Sequence, residues 1–382
     1  MIKTYKYRLY PNKKTQRDLN KTLDICRFTY NNILQNKIEL YKKENKTPSC
    51  FDINKILTEQ KKTNEDLKKV YSQTLQNVSK RVHLAYNNFF RRVKKGVEKP
   101  GFPRFKGSNR YNSFTFPQNN GSFKIIDKWL HLSKIGKIQI NLHRELLGEI
   151  KTCTIKKSST NKWYVCFTTE VEKKPLPTSD KEVGIDVGLK TFAYLSDDTI
   201  IKNPRTLKKS EKRLNKIKSR FSKEVKGTLK RRKLGKIVCK VYEKISNQRE
   251  DFCHKMSRKI INKYQTICIE DLNIKSMLKN VEIDPSERYK ERLKHKGMND
   301  VCWNKFASNL IYKAEEAGRD LVLVNPRNTS KMCSVCGNLV PKELKDRIHI
   351  CDKCGLEMDR DKNASINILR LGLESLREKV FA

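Results

Sequence analysis

The sequence predicts a multidomain α+β protein, in which a helical block interrupts a β domain and an α/β domain follows. Tyr5, Tyr7 and Leu9 in "YKYRLY" alternate with charged residues, as expected for a strand with one buried face. Alternation with a period of two returns over residues 113–172. Beyond them, short apolar runs such as "EVGIDVG" and "TICIE" alternate with helical patterns, which is typical of an α/β domain.

Two long amphipathic helices are predicted between the two β segments. Their apolar residues recur at spacings of three and four, as on one face of a helix. The members are Leu19, Leu23, Cys26, Tyr30, Ile33 and Tyr41 in the first helix, and Leu67, Tyr71, Leu75, Val78, Val82, Ala85 and Phe89 in the second. Glycines and prolines in the segment 94–107 end the helical pattern. We therefore predict that helices of about 13–100 are inserted into the β domain.

The second half of the chain begins with a predicted meander of three strands, "EVGIDVG", "TFAYLSD" and "TIIKNP". Residues 205–264 are then predicted to form a long helical stretch, which contains 22 Lys and Arg against 5 Asp and Glu. Further strands are predicted at "YQTICIEDL" and "DLVLVNP", and further helices at 299–317 and 363–375. This alternation of strands and helices completes the predicted α/β domain.

The net charge is the strongest constraint that composition places on function. The 382 residues include 84 Lys and Arg against 42 Asp and Glu, which gives a formal net charge of +42. So large a surplus repels itself unless a polyanion neutralises it, and this favours nucleic acid as the partner. A ribosomal-type binding protein and a compositional bias towards Lys are the alternatives, although a bias raises Lys without raising the net charge this far.

Membrane and secreted classes of protein are excluded by other features. The sequence has no run of 18 apolar residues, and its start, "MIKTYKYRLYPN", lacks the apolar segment of a signal peptide. Eight of the twelve cysteines are scattered, mostly within apolar patterns, as buried thiols are in a reducing compartment. We therefore expect a cytoplasmic protein associated with the nucleoid.

The other four cysteines predict a metal site. The pairs Cys333-x2-Cys336 and Cys351-x2-Cys354 are separated by fourteen residues, so both pairs can surround one ion. Four thiolates at tetrahedral positions form a closed structural Zn²⁺ site, which leaves no open position for water. We expect one structural Zn²⁺ here, because a module of this size is too small to fold without it.

Three acidic residues stand out against the basic background. Asp186 ends the apolar strand "VGIDVG", Glu270 ends "TICIE", and Asp361 opens the last predicted helix in "DRDKNASINI". A carboxylate at the end of a buried strand loses hydration, which is unfavourable unless a cation compensates. Mg²⁺ prefers oxygen ligands, and a pair of such ions activates water and stabilises the leaving oxygen of a phosphodiester. The three residues therefore predict a catalytic centre with two Mg²⁺ ions.

Each acidic residue also has a structural interpretation when taken alone. Asp186 can cap the turn after its strand, Glu270 can pair with a nearby Lys, and Asp361 can cap its helix. Asp359 is predicted to be a turn or capping residue, and Asp271 should point away from Glu270 if the strand continues. The order of the three carboxylates along separate elements favours the catalytic interpretation.

Seven motifs, in order along nearly the whole chain, resemble those of the TnpB family, transposon-encoded relatives of type V CRISPR effector nucleases. They are "YRLYPN", "LQNVSKRVHLAYNNFFR", "GFPRFK", "GIDVGLKTFA", "IEDLNIKSM", "NTSKMCSVCG" and "DRDKNASINI". The last four together are highly specific.

The resemblance implies a β-barrel wedge domain with an inserted helical recognition domain, then an RNase H-like (RuvC) nuclease domain that carries a four-Cys zinc ribbon. The implied ranges are 1–12 and 101–178 for the wedge, 13–100 for recognition, 179–327 and 356–382 for the nuclease, and 328–355 for the zinc-ribbon module that binds target nucleic acid. The family's catalytic and Mg²⁺-binding triad maps onto Asp186, Glu270 and Asp361.

The resemblance further implies an RNA-guided DNA endonuclease that cuts beside a short flanking motif. Its partners would be a guide RNA from the transposon end and double-stranded target DNA, with a monomer on the RNA. Gln76 falls at a family contact with the motif, and Gln73 and Ser72 lie one turn earlier. A Gln amide can bond the edge of adenine in the major groove, while an ordinary polar helix face is the alternative for Gln76.

Two other functions remain open from the sequence: a cleavage-inactive RNA-guided DNA-binding repressor, and a transposase with a carboxylate triad. The basic stretch 205–264 is predicted to bind the phosphate backbone without sequence preference. The polar segment 280–297 is predicted to be either a mobile lid or a plain loop.

Overall fold

The computed structural model describes residues 1–45, 47–278, 288–343 and 346–381. Contacts divide the chain into two compact units, Met1–Glu172 and Lys173–Ala382. Each unit contains its own β-sheet and its own hydrophobic core.

The first unit combines β-strands with α-helices inserted after the first strand. The strands are β1 (Ile2–Tyr10), β2 (Ser113–Phe116), β3 (Phe123–Ile126), β4 (Trp129–Leu132), β5 (Gly136–Asn141), β6 (Glu149–Lys157) and β7 (Trp163–Glu170). The helices are α1 (Lys13–Glu44), α2 (Cys50–Thr63), α3 (Glu65–Lys68) and α4 (Ser72–Lys94). Helices therefore lie between the first strand and the rest of the sheet, as the sequence predicted.

The sheet of the first unit has the strand order β2-β6-β7-β1-β5-β4-β3, and its pairs are antiparallel. The sheet curls, but its two edge strands, β2 and β3, do not pair with each other, so it forms a half-barrel. The predicted β-barrel is therefore confirmed only in this coarser form. The predicted alternation in β1 is confirmed, since Tyr5, Tyr7 and Leu9 are buried in the core.

Polar caps set where the first helices begin. The side chain of Asn12 accepts a hydrogen bond from the backbone N–H of Thr15 and starts α1. Ser49 and Asp52 form a reciprocal capping box at the start of α2. The buried faces of α1 and α4 then share one core with the sheet, which accounts for the apolar spacing seen in the sequence.

The second unit alternates strands and helices. The strands are β8 (Glu182–Val187), β9 (Thr191–Leu195), β10 (Ile200–Lys202), β11 (Thr266–Glu270), β12 (Asp320–Val324), β13 (Ile348–Ile350) and β14 (Glu357–Asp359). The helices are α5 (Thr206–Lys223), α6 (Leu229–Lys263), α7 (Ile274–Met277), α8 (Arg288–Val301), α9 (Trp303–Ala317) and α10 (Arg360–Phe381). A predicted meander, β8 to β10, opens this unit.

A five-stranded mixed sheet with the order β10-β9-β8-β11-β12 organises the second unit. β8, β11 and β12 are parallel, whereas β9 and β10 run antiparallel to their neighbours. Ile267 and Ile269 of β11 pack on one face of the sheet in a core shared with α6 and α9. Cys268 points to the other face, where Ile368 of α10 joins its cluster.

Two glycines allow α10 to approach the sheet closely. A Cβ on Gly184 of β8 would overlap the backbone oxygen of Ser365, and a Cβ on Gly372 would overlap the Sγ atom of Cys268. Helix and strands therefore pack with backbone against backbone at the first site and with backbone against side chain at the second. This contact fixes the position of α10 on the face of β8 and β11.

Two predicted helices of the second half are each divided in the structure. Residues 205–264 form α5 and α6, and Arg231 closes the turn between them by donating to the backbone oxygens of Phe221 and Glu224. The helix predicted over 299–317 is interrupted at Cys302, which has a left-handed backbone with φ of 60°. In the described part of the chain, no helix is both long enough and apolar enough to cross a membrane.

Candidate active site

Asp186 and Glu270 lie at the same edge of the second sheet. β8 and β11 are parallel neighbours in which Ile185 is the register partner of Ile269. Each carboxylate is the next residue along its strand, so the two side chains leave the sheet at the same level. Both are half-buried. The sequence predicted each residue at a strand end, and the register brings these two ends together.

Asp361 lies at the start of α10, which packs across β8 and β11. The side chain of Asp359 accepts hydrogen bonds from the backbone N–H groups of Asp361 and Lys362, at 2.8 and 3.2 Å. Asp359 thus caps the first turn, as predicted, and leaves the Asp361 carboxylate for other contacts. Asp361 is half-buried, with its side chain 18% exposed.

Electrostatics show that the three carboxylates interact. Burial raises the pKa of Asp186 well above its ordinary value, and the charges of Glu270 and Asp361 raise it further. Burial also raises the pKa of Glu270. A group whose charged form is disfavoured by burial and by like charges is a frequent feature of functional sites.

A guanidinium group partly compensates this negative charge. The Nε and Nη2 atoms of Arg360 donate to one oxygen of Asp361, at 3.2 and 3.0 Å. The Nη1 atom of Arg360 donates to the backbone oxygen of Asp346, at 3.2 Å. Arg360 therefore links the carboxylate cluster to the segment that carries the cysteines.

Glu270 is held by a residue that the sequence did not single out. The buried hydroxyl of Thr329 donates to Oε1 of Glu270 at 2.6 Å. The backbone oxygen of Thr329 in turn accepts a hydrogen bond from the amide of Asn367 on α10, at 2.9 Å. A chain of contacts thus runs from α10 through Thr329 to Glu270.

The donor set of the three carboxylates suits Mg²⁺, which prefers hard oxygen ligands. Among the described residues, the four cysteines are the one group of three or more potential ligands that all lie within 4.8 Å of one another. The oxygens of Asp186, Glu270 and Asp361 are therefore not all within this distance of one another. Because their charges already act on Asp186, a shared cation would relieve their repulsion.

The four predicted cysteines lie together. Sγ of Cys333 is 3.6 Å from Sγ of Cys354, and Sγ of Cys336 is 3.5 Å from Sγ of Cys351. All four sulfur atoms lie within 4.8 Å of one another, which is the arrangement that four ligands of one ion require. The paired strands β13 and β14 flank the second cysteine pair.

Proton affinities within the cysteine cluster differ sharply. Burial raises the pKa of Cys351, but the backbone N–H groups of Cys354 and Lys353 and the neighbouring thiols lower it to about 6. The backbone N–H of Leu356 lowers the pKa of Cys354, but burial and the other three sulfurs raise it to about 12. A cation bound between the four sulfur atoms would offset the repulsion between their thiolates.

Two buried asparagines of α10 bind the cysteine segment to the helix that carries Asp361. Asn363 donates to the backbone oxygen of Met332 at 2.8 Å and accepts from the backbone N–H of Ser334 at 2.9 Å. Asn367 also donates to the oxygen of Met332, at 2.6 Å. Both asparagines are completely buried, so these bonds replace hydration that their amide NH₂ groups have lost.

The basic stretch 205–264 forms a helical hairpin, in which α5 and α6 pack through Leu214, Val241 and Ile245. The Lys and Arg residues of α5 and of the first half of α6 are mostly exposed. An exposed cationic surface of this kind binds phosphate groups without sequence preference.

The three residues predicted to read a DNA motif lie in the first turns of α4. Gln76 is exposed. Ser72 accepts a hydrogen bond from Lys61 at 2.6 Å, and Gln73 donates to Gln118 at 3.1 Å. Gln76 therefore remains the member of the set whose amide lies on the open face of the helix.

Two other predictions concern the region after Glu270. Asp271 is exposed, and its backbone N–H donates to the oxygen of Val324 at 2.8 Å. Of the segment 280–297, residues 288–297 form the first turns of α8, so the prediction of a plain loop is wrong for them. Residues 280–287 lie outside the described residues.

Profiles of three families match this sequence. The family described as "Probable transposase" matches residues 165–281, and "Cas12f1-like, TNB domain" matches residues 303–368. A "Helix-turn-helix domain" family matches residues 1–46, which in this structure are mainly β1 followed by the long helix α1. The second match spans α9, the cysteine segment and the start of α10.

Two relatives match almost the whole chain. A "Putative RNA-guided DNA endonuclease" of Streptomyces pristinaespiralis is 31% identical over 378 residues, covering 97% of this chain and 89% of the relative. InsQ of Escherichia coli (strain K12), described in the same words, is 28% identical over 379 residues, covering 97% and 92%.

One solved structure has a similar fold. The protein chain from a complex of Cas12f1 with sgRNA and target DNA aligns with a TM-score of 0.58. The alignment covers 96% of this chain and 98% of the Cas12f1 chain at 13% sequence identity, so the likeness concerns the fold alone.

Proposed function

Since the chain belongs to the TnpB family, we propose that it is a transposon-encoded, RNA-guided DNA endonuclease that hydrolyses phosphodiester bonds with Mg²⁺. The observation that carries this proposal is the position of Asp186 and Glu270 at adjacent ends of parallel strands, with Asp361 on the helix packed across them. Likeness over nearly the full length of RNA-guided endonucleases supports the same conclusion. The net charge of +42 suits simultaneous binding of RNA and DNA.

The proposed domain layout follows the family. The wedge would comprise 1–12 and 101–178, and the recognition domain 13–100. The RuvC nuclease of RNase H-like fold would comprise 179–327 and 356–382, with the zinc ribbon at 328–355. A mixed sheet with carboxylates at the ends of adjacent strands supports this assignment of the nuclease.

In the proposed active site, Asp186, Glu270 and Asp361 would hold Mg²⁺ through carboxylate oxygens. Mg²⁺ held there would supply activation of the attacking water and stabilisation of the leaving oxygen. Thr329 orients the Glu270 carboxylate by donating a hydrogen bond to Oε1. Arg360 limits the negative charge of Asp361 through its two hydrogen bonds.

We assign one structural Zn²⁺ to Cys333, Cys336, Cys351 and Cys354. The hydrophobic cluster of this module is small, with Val340 and Leu356 as its principal apolar members besides the cysteines. So small a core cannot order the segment alone, and metal ligation supplies the missing stability. Gln76, supported by Gln73 and Ser72, is proposed to read the flanking DNA motif from α4.

Expression of the full chain together with its flanking transposon-end sequence tests the proposed function. We expect a copurifying RNA from the transposon end with a variable 3′ segment, as the family implies. Reprogramming that segment should redirect double-strand cutting of a plasmid in Mg²⁺ buffer to the new site. Copurification of random small RNA, or cutting that does not follow the reprogrammed segment, would refute the proposal.

Replacing Thr329 with valine is expected to raise the Mg²⁺ concentration needed for half-maximal cutting about tenfold, since a hydrogen bond to a charged group contributes about 1.5–3 kcal/mol. The variant removes the hydroxyl at 2.6 Å from Glu270 and keeps the volume of the side chain. Titrating Mg²⁺ in a cleavage assay measures the effect, and metal binding by calorimetry checks it without turnover.

Thr329→Ser is the matched control, because it keeps the hydroxyl and removes a methyl group. Serine should restore the wild-type Mg²⁺ requirement if Thr329 acts through Glu270. If valine and serine shift the requirement equally, Thr329 contributes by packing, and its role as a positioning residue is wrong.

A further inference from the structure

An exposed apolar surface in the first unit is not used by the function proposed above. It lies at the end of α4 and in the returning segment that contains the motif "GFPRFK". The side chain of Phe90 is 55% exposed and that of Phe102 is 47% exposed, with Val93, one turn along α4, at 48%. We call Phe89, Phe90, Val93 and Phe102 the aromatic patch. Contiguous apolar surface of this kind usually marks an interaction site.

The rings of the aromatic patch are held in place from below. Phe102 meets Tyr86 edge-on with ring centroids 5.6 Å apart, and it meets Phe89 edge-on at 5.3 Å. Phe90 stacks on Tyr86 at 6.2 Å. Tyr86 itself is buried and belongs to the core. Packing against this buried residue therefore holds the exposed rings in position.

The returning segment is also pinned at both ends of the motif. Arg92 donates to the backbone oxygen of Gly101 at 2.8 Å. Asn31 of α1 accepts from the backbone N–H of Lys106 at 2.8 Å and donates to its oxygen at 3.1 Å. The exposure of Phe102 is thus a feature of an ordered segment.

Positive charge surrounds the aromatic patch. Residues 89–106 contain seven Lys and Arg and one acidic residue, Glu98. Arg91, Lys94 and Arg104 are exposed. A second copy of this chain is disfavoured as the occupant because each copy carries a net charge of +42. Aromatic faces among cations are instead suited to unpaired nucleotides, whose bases stack while their phosphates are neutralised.

We propose that the aromatic patch stacks unpaired bases of the guide RNA, an assignment that rests on the proposed function. RNA is the ligand that fits this surface, because RNA recognition relies on unpaired loops whose bases stack on aromatic side chains. Duplex DNA hides its base faces until the strands separate. The patch would therefore select for the single-stranded parts of the RNA, in addition to the charge that binds any polyanion.

The double variant Phe90→Leu/Phe102→Leu tests this assignment, because leucine keeps an apolar side chain and removes the ring. The probes are a single-stranded twelve-nucleotide RNA with one 2-aminopurine, the same sequence as DNA, and an RNA duplex, each added to the full chain after removal of bound RNA. Wild type should quench 2-aminopurine in single-stranded RNA. The variant should lose the quenching and bind that RNA about tenfold more weakly, with duplex binding unchanged.

Leu84→Ala is the matched control, since Leu84 is an exposed apolar residue of α4 outside the aromatic patch. Unchanged RNA binding by the double variant, or equal losses for single-stranded and duplex RNA, would overturn the proposal. A loss confined to single-stranded DNA would overturn RNA as the occupant. These assays need no cleavage, so a wild-type chain that fails to cut DNA but stacks RNA would contradict the proposed function alone.

Discussion

Replacing Asp186 with asparagine is expected to reduce guided DNA cutting at least about a thousandfold, because the variant would lose one of the three proposed Mg²⁺ ligands. RNA binding and guided DNA binding should remain, since the exposed Lys and Arg residues that would bind nucleic acid are unchanged in this variant. Cleavage of a plasmid and a filter-binding assay with the same DNA measure the two properties separately.

We also expect Asp186→Asn to affect the thermal stability of the folded protein. Burial and the charges of Glu270 and Asp361 disfavour the ionised form of Asp186, so a neutral amide relieves repulsion. The variant should unfold in metal-free buffer at a temperature no lower than wild type. Asp271→Asn is the control, because Asp271 is exposed beside Glu270 and should leave cutting unchanged. Cutting by Asp186→Asn within a few-fold of wild type would exclude this residue as a metal ligand.

Replacing Cys351 with serine is expected to remove the bound zinc and most of the DNA cutting together. Structural zinc in modules of this kind contributes about 10–16 kcal/mol of apparent binding free energy, which the few apolar residues of the module cannot replace. Loss of order would reach the active site because Asn363 and Asn367 bind the same segment that presents Thr329 to Glu270. Zinc content by mass spectrometry and plasmid cutting measure the two losses.

Cys239→Ser is the control for this prediction. Cys239 lies on α6, outside the group of four cysteines, so the variant should keep one zinc per chain and full cutting. If Cys351→Ser retained its zinc, the assignment of the four ligands would be wrong. If it lost zinc and still cut DNA at the wild-type rate, the link between the cysteine module and Glu270 would be wrong.

Local patterns in the sequence were sufficient to predict the strands and helices that bury one face. Tyr5, Tyr7 and Leu9 alternate because a strand exposes alternate residues, and the structure confirms that face. Asp186 and Glu270 could be placed at strand ends because an acidic residue closes an apolar run. Whether these ends adjoin depends on strand pairing, which no single run of residues specifies.

The contacts missed by sequence analysis are those between residues distant in the chain. Thr329 and Glu270 are 59 positions apart, and no pattern in the sequence around either residue predicts their contact. The sequence indicated only weakly that Asn363 and Asn367 are buried. They are polar residues four apart on a helix face that also carries the apolar residues Ala364 and Ile368. Polar residues on a buried face need partners, but their identity required the fold. Whether the sheet closes into a barrel likewise depends on whether its edge strands pair. Alternation with a period of two is the same in open and closed sheets, so the sequence could not decide this.

The close approach at Gly184 limits which substitutions this position can accept. A Cβ there would overlap the backbone of α10, so any larger residue would push the helix away from β8 and move Asp361 relative to Asp186. We therefore expect selection to retain glycine at position 184 wherever the three carboxylates act together.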